Sequence, residues 1–196
     1  AIGQGAPLLF VWGSRGSGRS HLLHATCAEV NASGAAAAYI PLEQHAMFEP
    51  SLLEEMEQLP LVCLDNLDAI AGHPQWEESL FDFFNRWKEH NQGSLIVTAA
   101  TAPRKIGLCL PDLASRLDWG LSYQLHELDD EGKLSALQLR AELRGFKLPV
   151  DVGRFLLNRL SRDMRTLLTT LDELDNASLD AKRKLTIPFV KEALHL

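Results

Sequence analysis

Leu8-Leu9-Phe10-Val11-Trp12-Gly13-Ser14-Arg15-Gly16-Ser17-Gly18-Arg19-Ser20-His21 is the stretch that decides the fold. Its first five residues form a continuous apolar run of strand length, bounded by Pro7 and Gly13, the pattern of a strand buried on both faces. The octet from Gly13 to Ser20 follows G-x-x-x-x-G-K-[ST], with Arg19 where lysine is expected. Glycines let the backbone fold around an anion without a Cβ collision. Successive N–H groups of Gly13, Ser14, Arg15, Gly16, Ser17 and Gly18 then turn inward toward phosphate oxygens. The helix starting near Arg19 adds its free N–H groups and positive dipole end. Ser20 can place a hydroxyl on a magnesium ion, and His21 a backbone N–H on a phosphate. Arg19 keeps the positive charge and gains a two-pronged fork, but it is bulkier than lysine. A flexible Gly/Ser turn is the competing reading; the strand before and the helix after favour a phosphate loop.

Outward from the loop, apolar runs alternate with helical patterns. Residues 21–31 carry Leu22, Leu23, Cys27 and Val30 at helical spacing. Strands are expected at residues 38–42, 61–65, 95–99 and 121–125, with a short helix at 52–58 and another at 111–117. Residues 76–90 place Trp76, Leu80, Phe83, Phe84 and Trp87 on one helical face, the pattern of core packing. Strands separated by helices predict an α/β fold with a five-stranded parallel sheet. From Asp129 the pattern changes to helices only, around residues 130–144, 150–160, 163–177 and 188–194, with Pro188 suited to a first helical turn. The expected organisation is an α/β nucleotide-binding domain over residues 1–128 and a small helical domain over 129–196.

Composition narrows the function. The 196 residues are 46% hydrophobic and 23% charged with a net charge of −7, which suits a globular chain and argues against direct sequence-specific DNA binding. No apolar run has membrane-spanning length, and no signal peptide is legible at Ala1-Ile2-Gly3-Gln4, although the missing initiator Met leaves the true start open. Cys27, Cys63 and Cys109 are far apart in sequence and read as small buried thiols of a reducing, cytoplasmic setting. His21 and His24 lack further ligands for a zinc set. The acidic Glu54-Glu55-Met56-Glu57 and basic Lys182-Arg183-Lys184 read as solvated surface.

Asp65 ends the third apolar strand, where a phosphate-loop protein holds magnesium; capping of the next turn is the alternative. Hydrolytic phosphate-loop proteins usually follow it with a second carboxylate that activates water. Here Asn66 follows, and an amide cannot accept that proton at neutral pH. Nucleotide binding with weak intrinsic hydrolysis is therefore expected.

With these parts in place the chain resembles the AAA+ ATPases, and among them the DnaA replication-initiator family. Asp112-Leu113-Ala114-Ser115-Arg116-Leu117-Asp118-Trp119-Gly120 is similar to that family's Ser-Arg-Phe-x-Trp-Gly segment. The resemblance implies that Arg116 is an arginine finger inserted into a neighbour's nucleotide site. It implies, through Asp163-Met164-Arg165-Thr166-Leu167, that Arg165 reads the bound nucleotide's phosphates from a helical lid. The initiator continues past the lid into a basic DNA-reading domain, whereas this sequence ends at Leu196, so the resemblance is to the shortened regulatory branch, the Hda type. Arg19, Asp65-Asn66 and the closing Arg183-Lys184-Leu185-Thr186-Ile187-Pro188-Phe189-Val190-Lys191-Glu192 share in it.

Such a regulator carries ADP, ATP or another nucleoside phosphate with magnesium. Acting with the DNA-loaded sliding clamp, it makes the ATP-bound initiator hydrolyse its nucleotide and so prevents re-initiation. A cytoplasmic protein drawn to the nucleoid by its partners is implied, with a head-to-tail surface that a homodimer could also use. The family's clamp-binding peptide is N-terminal to the ATPase core, and Gln4 does not begin such a pattern. Where the family carries a polar or acidic sensor after the fourth strand, this chain reads Thr98-Ala99-Ala100-Thr101, so Thr98 or Thr101 is left to substitute for Ala100. Two rivals remain: an initiator-like or helicase-loader ATPase hydrolysing its own ATP, and an interaction module whose nucleotide is structural.

Overall fold

The computed structural model describes residues 8–195; the readings made on residues 1–7, including Gln4 and the clamp-binding peptide, lie outside them. The elements run β1 (Leu8–Gly13), α1 (Arg19–Ala32), β2 (Ala37–Pro41), β3 (Leu61–Asp65), α2 (Pro74–His90), β4 (Ser94–Ala99), α3 (Pro111–Leu117) and β5 (Leu121–Leu125). Four helices follow: α4 (Asp130–Leu143), α5 (Val150–Arg159), α6 (Met164–Ala181) and α7 (Ile187–Ala193). The boundary between two compact units falls between Glu127 and Leu128.

In the first unit the strands form one sheet in the order β2-β3-β4-β1-β5, with every pair parallel. The continuous apolar runs of β3 and β4 have their physical reason here, because each strand is buried on both faces. Alternate residues Phe10, Leu64 and Val97 meet Leu80 and Phe83 of α2 and Leu113 of α3. The intervening Val11, Cys63 and Ile96 face Leu23 and Cys27 of α1. The sheet thus presents the carboxyl ends of β1, β3 and β4 side by side, the place where open α/β sheets bind ligands.

Two expectations are corrected. Residues 52–58 are not a helix but two separate 3₁₀ turns, Pro50–Leu53 and Met56–Gln58, because Glu55 between them takes a left-handed conformation (φ 64°). A helix of α type cannot run through that residue. Cys109 is exposed rather than buried, while Cys27 and Cys63 are buried as read, and burial pushes the Cys63 thiol up in pKa.

The second unit is wholly helical. Asp129 caps α4 by accepting from the Gly132 N–H (2.8 Å), and Asp163 caps α6 by accepting from the Thr166 N–H (2.9 Å). Leu137, Leu156, Leu171, Leu174 and Phe189 from its four helices form a core of their own. Among the described residues no helix is long and apolar enough to cross a membrane.

Candidate functional site

The loop between β1 and α1 is built by close approach. A Cβ on Gly13 would strike the Leu125 carbonyl on β5, so only glycine lets the chain leave β1 here. Gly16 and Gly18 sit at φ 91° and 93°, the left-handed region that side chains disfavour. Gly18 is also the N-cap of α1, and it offers no side chain to the first turn. The free N–H groups at the start of this helix are therefore open to an external anion.

Two side-chain atoms point the same way. Ser17 Oγ and Arg19 Nη1 are buried with no hydrogen-bond partner among the described residues. Buried donors without acceptors are costly, roughly 1–3 kcal/mol each, and phosphate oxygens would satisfy both. Ser14 and Arg15 are exposed at the loop's rim, and the Ser14 hydroxyl donates to Glu127 Oε1 (2.9 Å). Ser20 is half-buried and His21 exposed, both on the first turn of α1. The loop thus fits a phosphate group.

At the end of β3, Asp65 is 1% exposed. Its Oδ2 accepts from the Tyr39 hydroxyl (2.7 Å) and its Oδ1 from the Thr98 hydroxyl (2.5 Å). Burial, and then the Asp65 carboxylate, push the Tyr39 phenol above its ordinary range, so it stays a proton donor. Each Asp65 oxygen keeps a lone pair after these bonds, enough to hold a metal-bound water. Among the described residues no group of three or more His, Cys, Asp or Glu side chains is placed to hold a metal ion. His24 instead stacks on Tyr39, ring centroids 4.0 Å apart.

Thr98 does not face the loop as a sensor. Its hydroxyl is fully buried, donating to Asp65 and accepting from the Asn66 N–H (3.0 Å), which fixes Asn66 in its left-handed conformation at the end of β3. Thr98→Val removes one donor and one acceptor from buried partners, so a loss of about 2–4 kcal/mol is expected; urea denaturation of variant and wild type measures it. The position of Ala100 acts through its backbone instead: its N–H donates to Asp68 Oδ1 (2.8 Å), and that oxygen lies 4.0 Å from Arg19 Nη1. Tyr39 and Asp68 escape sequence reading. The visible signal was Asp68 three residues beyond Asp65, on the 3₁₀ turn Leu67–Ile70.

Arg116 lies elsewhere on the first unit, in the last turn of α3, half-buried at the surface. Its guanidinium stacks over the Phe81 ring (3.9 Å to the centroid) and lies 5.6 Å from the Trp119 ring. Trp119 is 58% exposed and carries the Lys88 ammonium at 3.7 Å from its ring centre. Arg116, Lys88, Trp87 and Trp119 line an open pocket of about 170 Å³. The Trp-Gly pair has a structural reason, since a Cβ on Gly120 would strike the Leu8 carbonyl of β1. Arg165 belongs to the second unit, exposed on the first turn of α6 behind the Asp163 cap.

Comparison with known proteins follows the same division. The family model described as the bacterial DnaA ATPase domain matches residues 3–124, and the one described as the lid domain of Hda matches residues 130–194. The chain belongs to the bacterial DnaA ATPase-domain family.

Solved structures agree on the fold of this DnaA-family chain. Domain III of the replication initiation protein DnaA from Thermotoga maritima has a TM-score of 0.79 at 20% identity, over 97% of this chain and 85% of that one. AMPPCP-bound DnaA from Aquifex aeolicus has a TM-score of 0.68 at 20% identity, over 88% of this chain and 56% of that one. A RuvB structure from Thermotoga maritima has a TM-score of 0.71 at 14% identity, over 96% of this chain and 61% of that one. The shared architecture is that of AAA+ proteins, an α/β unit with a parallel sheet followed by a helical lid.

Proposed function

We propose that this DnaA-family protein is a regulatory nucleotide-binding protein of the Hda type, which stimulates ATP hydrolysis on the replication initiator DnaA by donating Arg116 in trans. The observation that carries this reading is Arg116 itself. It is a guanidinium at the surface, held on an aromatic ring and bonded to no carboxylate of the described residues. Leaving the Phe81 ring for a phosphate costs about 1 kcal/mol. A charge-assisted bond to an anion offsets that.

The chain's own nucleotide, ADP or ATP, would be gripped by the loop N–H groups of residues 13–18, by Ser17 and Arg19, and by the N–H groups of Ser20 and His21. AMPPCP in the Aquifex aeolicus relative is an adenine nucleotide analogue and supports this choice. Ser20 and Asp65 are the side chains that would meet its magnesium, Asp65 through water, and Arg165 the lid residue that would read its phosphates. Bound magnesium neutralises phosphate charge. Asn66, an amide that cannot accept a proton, follows Asp65 where a second carboxylate would activate water, so intrinsic hydrolysis is weak. The nucleotide therefore serves to shape the surface that carries Arg116. A DNA-loaded sliding clamp bound to a segment N-terminal to the described residues would bring the two proteins together, in the cytoplasm at the nucleoid, and a head-to-tail homodimer could use the same surface.

The reading is tested by mixing this protein with ATP-loaded DnaA, with and without clamp on DNA, and following phosphate release. Acceleration that requires this protein supports it. Unchanged release in both arms would sink it.

A further inference from the structure

Glu77, near the start of α2, is a carboxylate only 1% exposed. A buried carboxylate needs hydrogen bonds to offset its lost hydration, and Glu77 takes them from backbone outside its own helix. Oε1 accepts from the Gly72 N–H (2.8 Å) just ahead of α2, and Oε2 from the Leu110 N–H (2.8 Å) at the N-cap of α3. In a capping box a helix satisfies its N-cap N–H with a Glu or Gln at its own third position. In α3 that position is Leu113, which is fully buried in the core. The acceptor comes from α2 instead.

The same face of α2 follows α3 to its end. Residues 77, 81 and 88 are spaced by four and by seven, which puts them on one stripe of the helix. Glu77 holds the start of α3, Phe81 lies under the Arg116 guanidinium in its last turn, and Lys88 lies over Trp119 just beyond. Ring contacts tolerate sliding, whereas a hydrogen bond to a buried carboxylate is directional and sets the register. A helix this short moves as a rigid rod, so a shift at Leu110 is carried to Arg116.

We propose that Glu77 is a positioning residue for Arg116, fixing α3 on α2 so that the guanidinium is presented at one place on the surface. The proposal rests on the reading of Arg116 as a finger acting in trans. Such a group works by placement, and a misplacement of about 1 Å can cost about 100-fold in rate.

The experiment titrates ATP-loaded DnaA, with clamp on DNA, against this protein. It separates the maximal rate of phosphate release from the half-saturating concentration. Glu77→Gln keeps the side chain's volume but offers one acceptor and turns an NH₂ group toward the second donor. It is expected to lower the maximal rate about tenfold or more, with half-saturation and ADP affinity changed less than about threefold. Glu77→Asp, with both acceptors on a shorter stem, is expected to recover part of that loss. Arg86→Met cuts the bonds from α2 to Glu57 and to the Leu53 carbonyl without touching α3. It is expected to leave the maximal rate within about twofold. Amide exchange of the wild type is expected to show the Leu110 N–H at least about 100-fold slower than in an open chain. A maximal rate unmoved by Glu77→Gln, an equal loss with Arg86→Met, a change confined to half-saturation, or an unprotected Leu110 amide overturns the proposal and leaves the finger reading standing. Wild type that does not accelerate release overturns the finger reading itself, and the proposal with it.

Discussion

Arg116→Ala is expected to abolish stimulation of DnaA hydrolysis while leaving the protein folded and its own nucleotide bound. The side chain stacks on Phe81 and Trp119 at the surface of α3, so its removal uncovers aromatic faces without opening the core. Leu113 and Leu117, which anchor the helix, are fully buried and untouched. A finger arginine contributes about 10³–10⁵ in rate on the partner's nucleotide, so phosphate release from ATP-loaded DnaA is expected to fall by at least about 10³. Arg116→Lys keeps the charge but loses the planar fork, so it restores only a small part. Full stimulation by Arg116→Ala would remove the finger assignment and leave the rival in which this protein is an interaction module. Equilibrium binding of ADP to the same variant, unchanged from wild type, separates a lost finger from a lost fold.

Arg19→Ala is expected to act on the other half of the account. Its guanidinium is largely buried, with Nη1 awaiting an acceptor, and Asp68 at 4.0 Å is its ion-pair partner. On the proposed reading, removing it takes away the charge that would meet the phosphates and leaves Asp68 without its ion-pair partner. Hydrogen bonds to charged groups contribute about 1.5–3 kcal/mol each, so losing the fork is expected to weaken nucleotide binding by about 100-fold or more. Titration calorimetry with ADP reads this directly. Arg19→Lys, the residue that phosphate loops ordinarily carry, is expected to keep binding within about tenfold. An alanine variant that binds as wild type would show that the loop does not grip phosphate through residue 19.

What the sequence made legible follows from where each residue's neighbours come from. The strands β1, β3 and β4 were readable because burial on both faces forces unbroken apolar runs. The loop was readable because its glycines answer local demands, the approach of Gly13 to β5 and the left-handed turns at Gly16 and Gly18. β5 was readable although its residues are mostly exposed, since Leu121, Tyr123 and Leu125 alternate as an edge strand does. Residues 52–58 misled because their apolar spacing fits a helix, while the break lies in the backbone of Glu55, which composition does not reveal.

The site was half legible. Asp65 and Asn66 were placed by their position at the end of a strand. Tyr39 and Thr98 were not, because they converge on Asp65 from two other strands. Of the two threonines read as substitutes for Ala100, Thr98 is committed to Asp65, and the contact to Asp68 comes from the Ala100 backbone, which side-chain chemistry does not reveal. Arg116 was found by its motif, but its stacking on Phe81 depends on α2 and α3 lying together, a fact of packing.

The most direct measurement of the central claim places the label on one nucleotide at a time. This protein is loaded with γ-labelled ATP and DnaA with unlabelled ATP, then the reverse, and single-turnover phosphate release is followed in each mixture with clamp-loaded DNA. The account predicts rapid release only when the label is on DnaA, with the ATP held beside Asp65 and Asn66 left intact. Rapid release from the nucleotide held by this protein, alone or in the mixture, would contradict it and make the chain an ATPase in its own right.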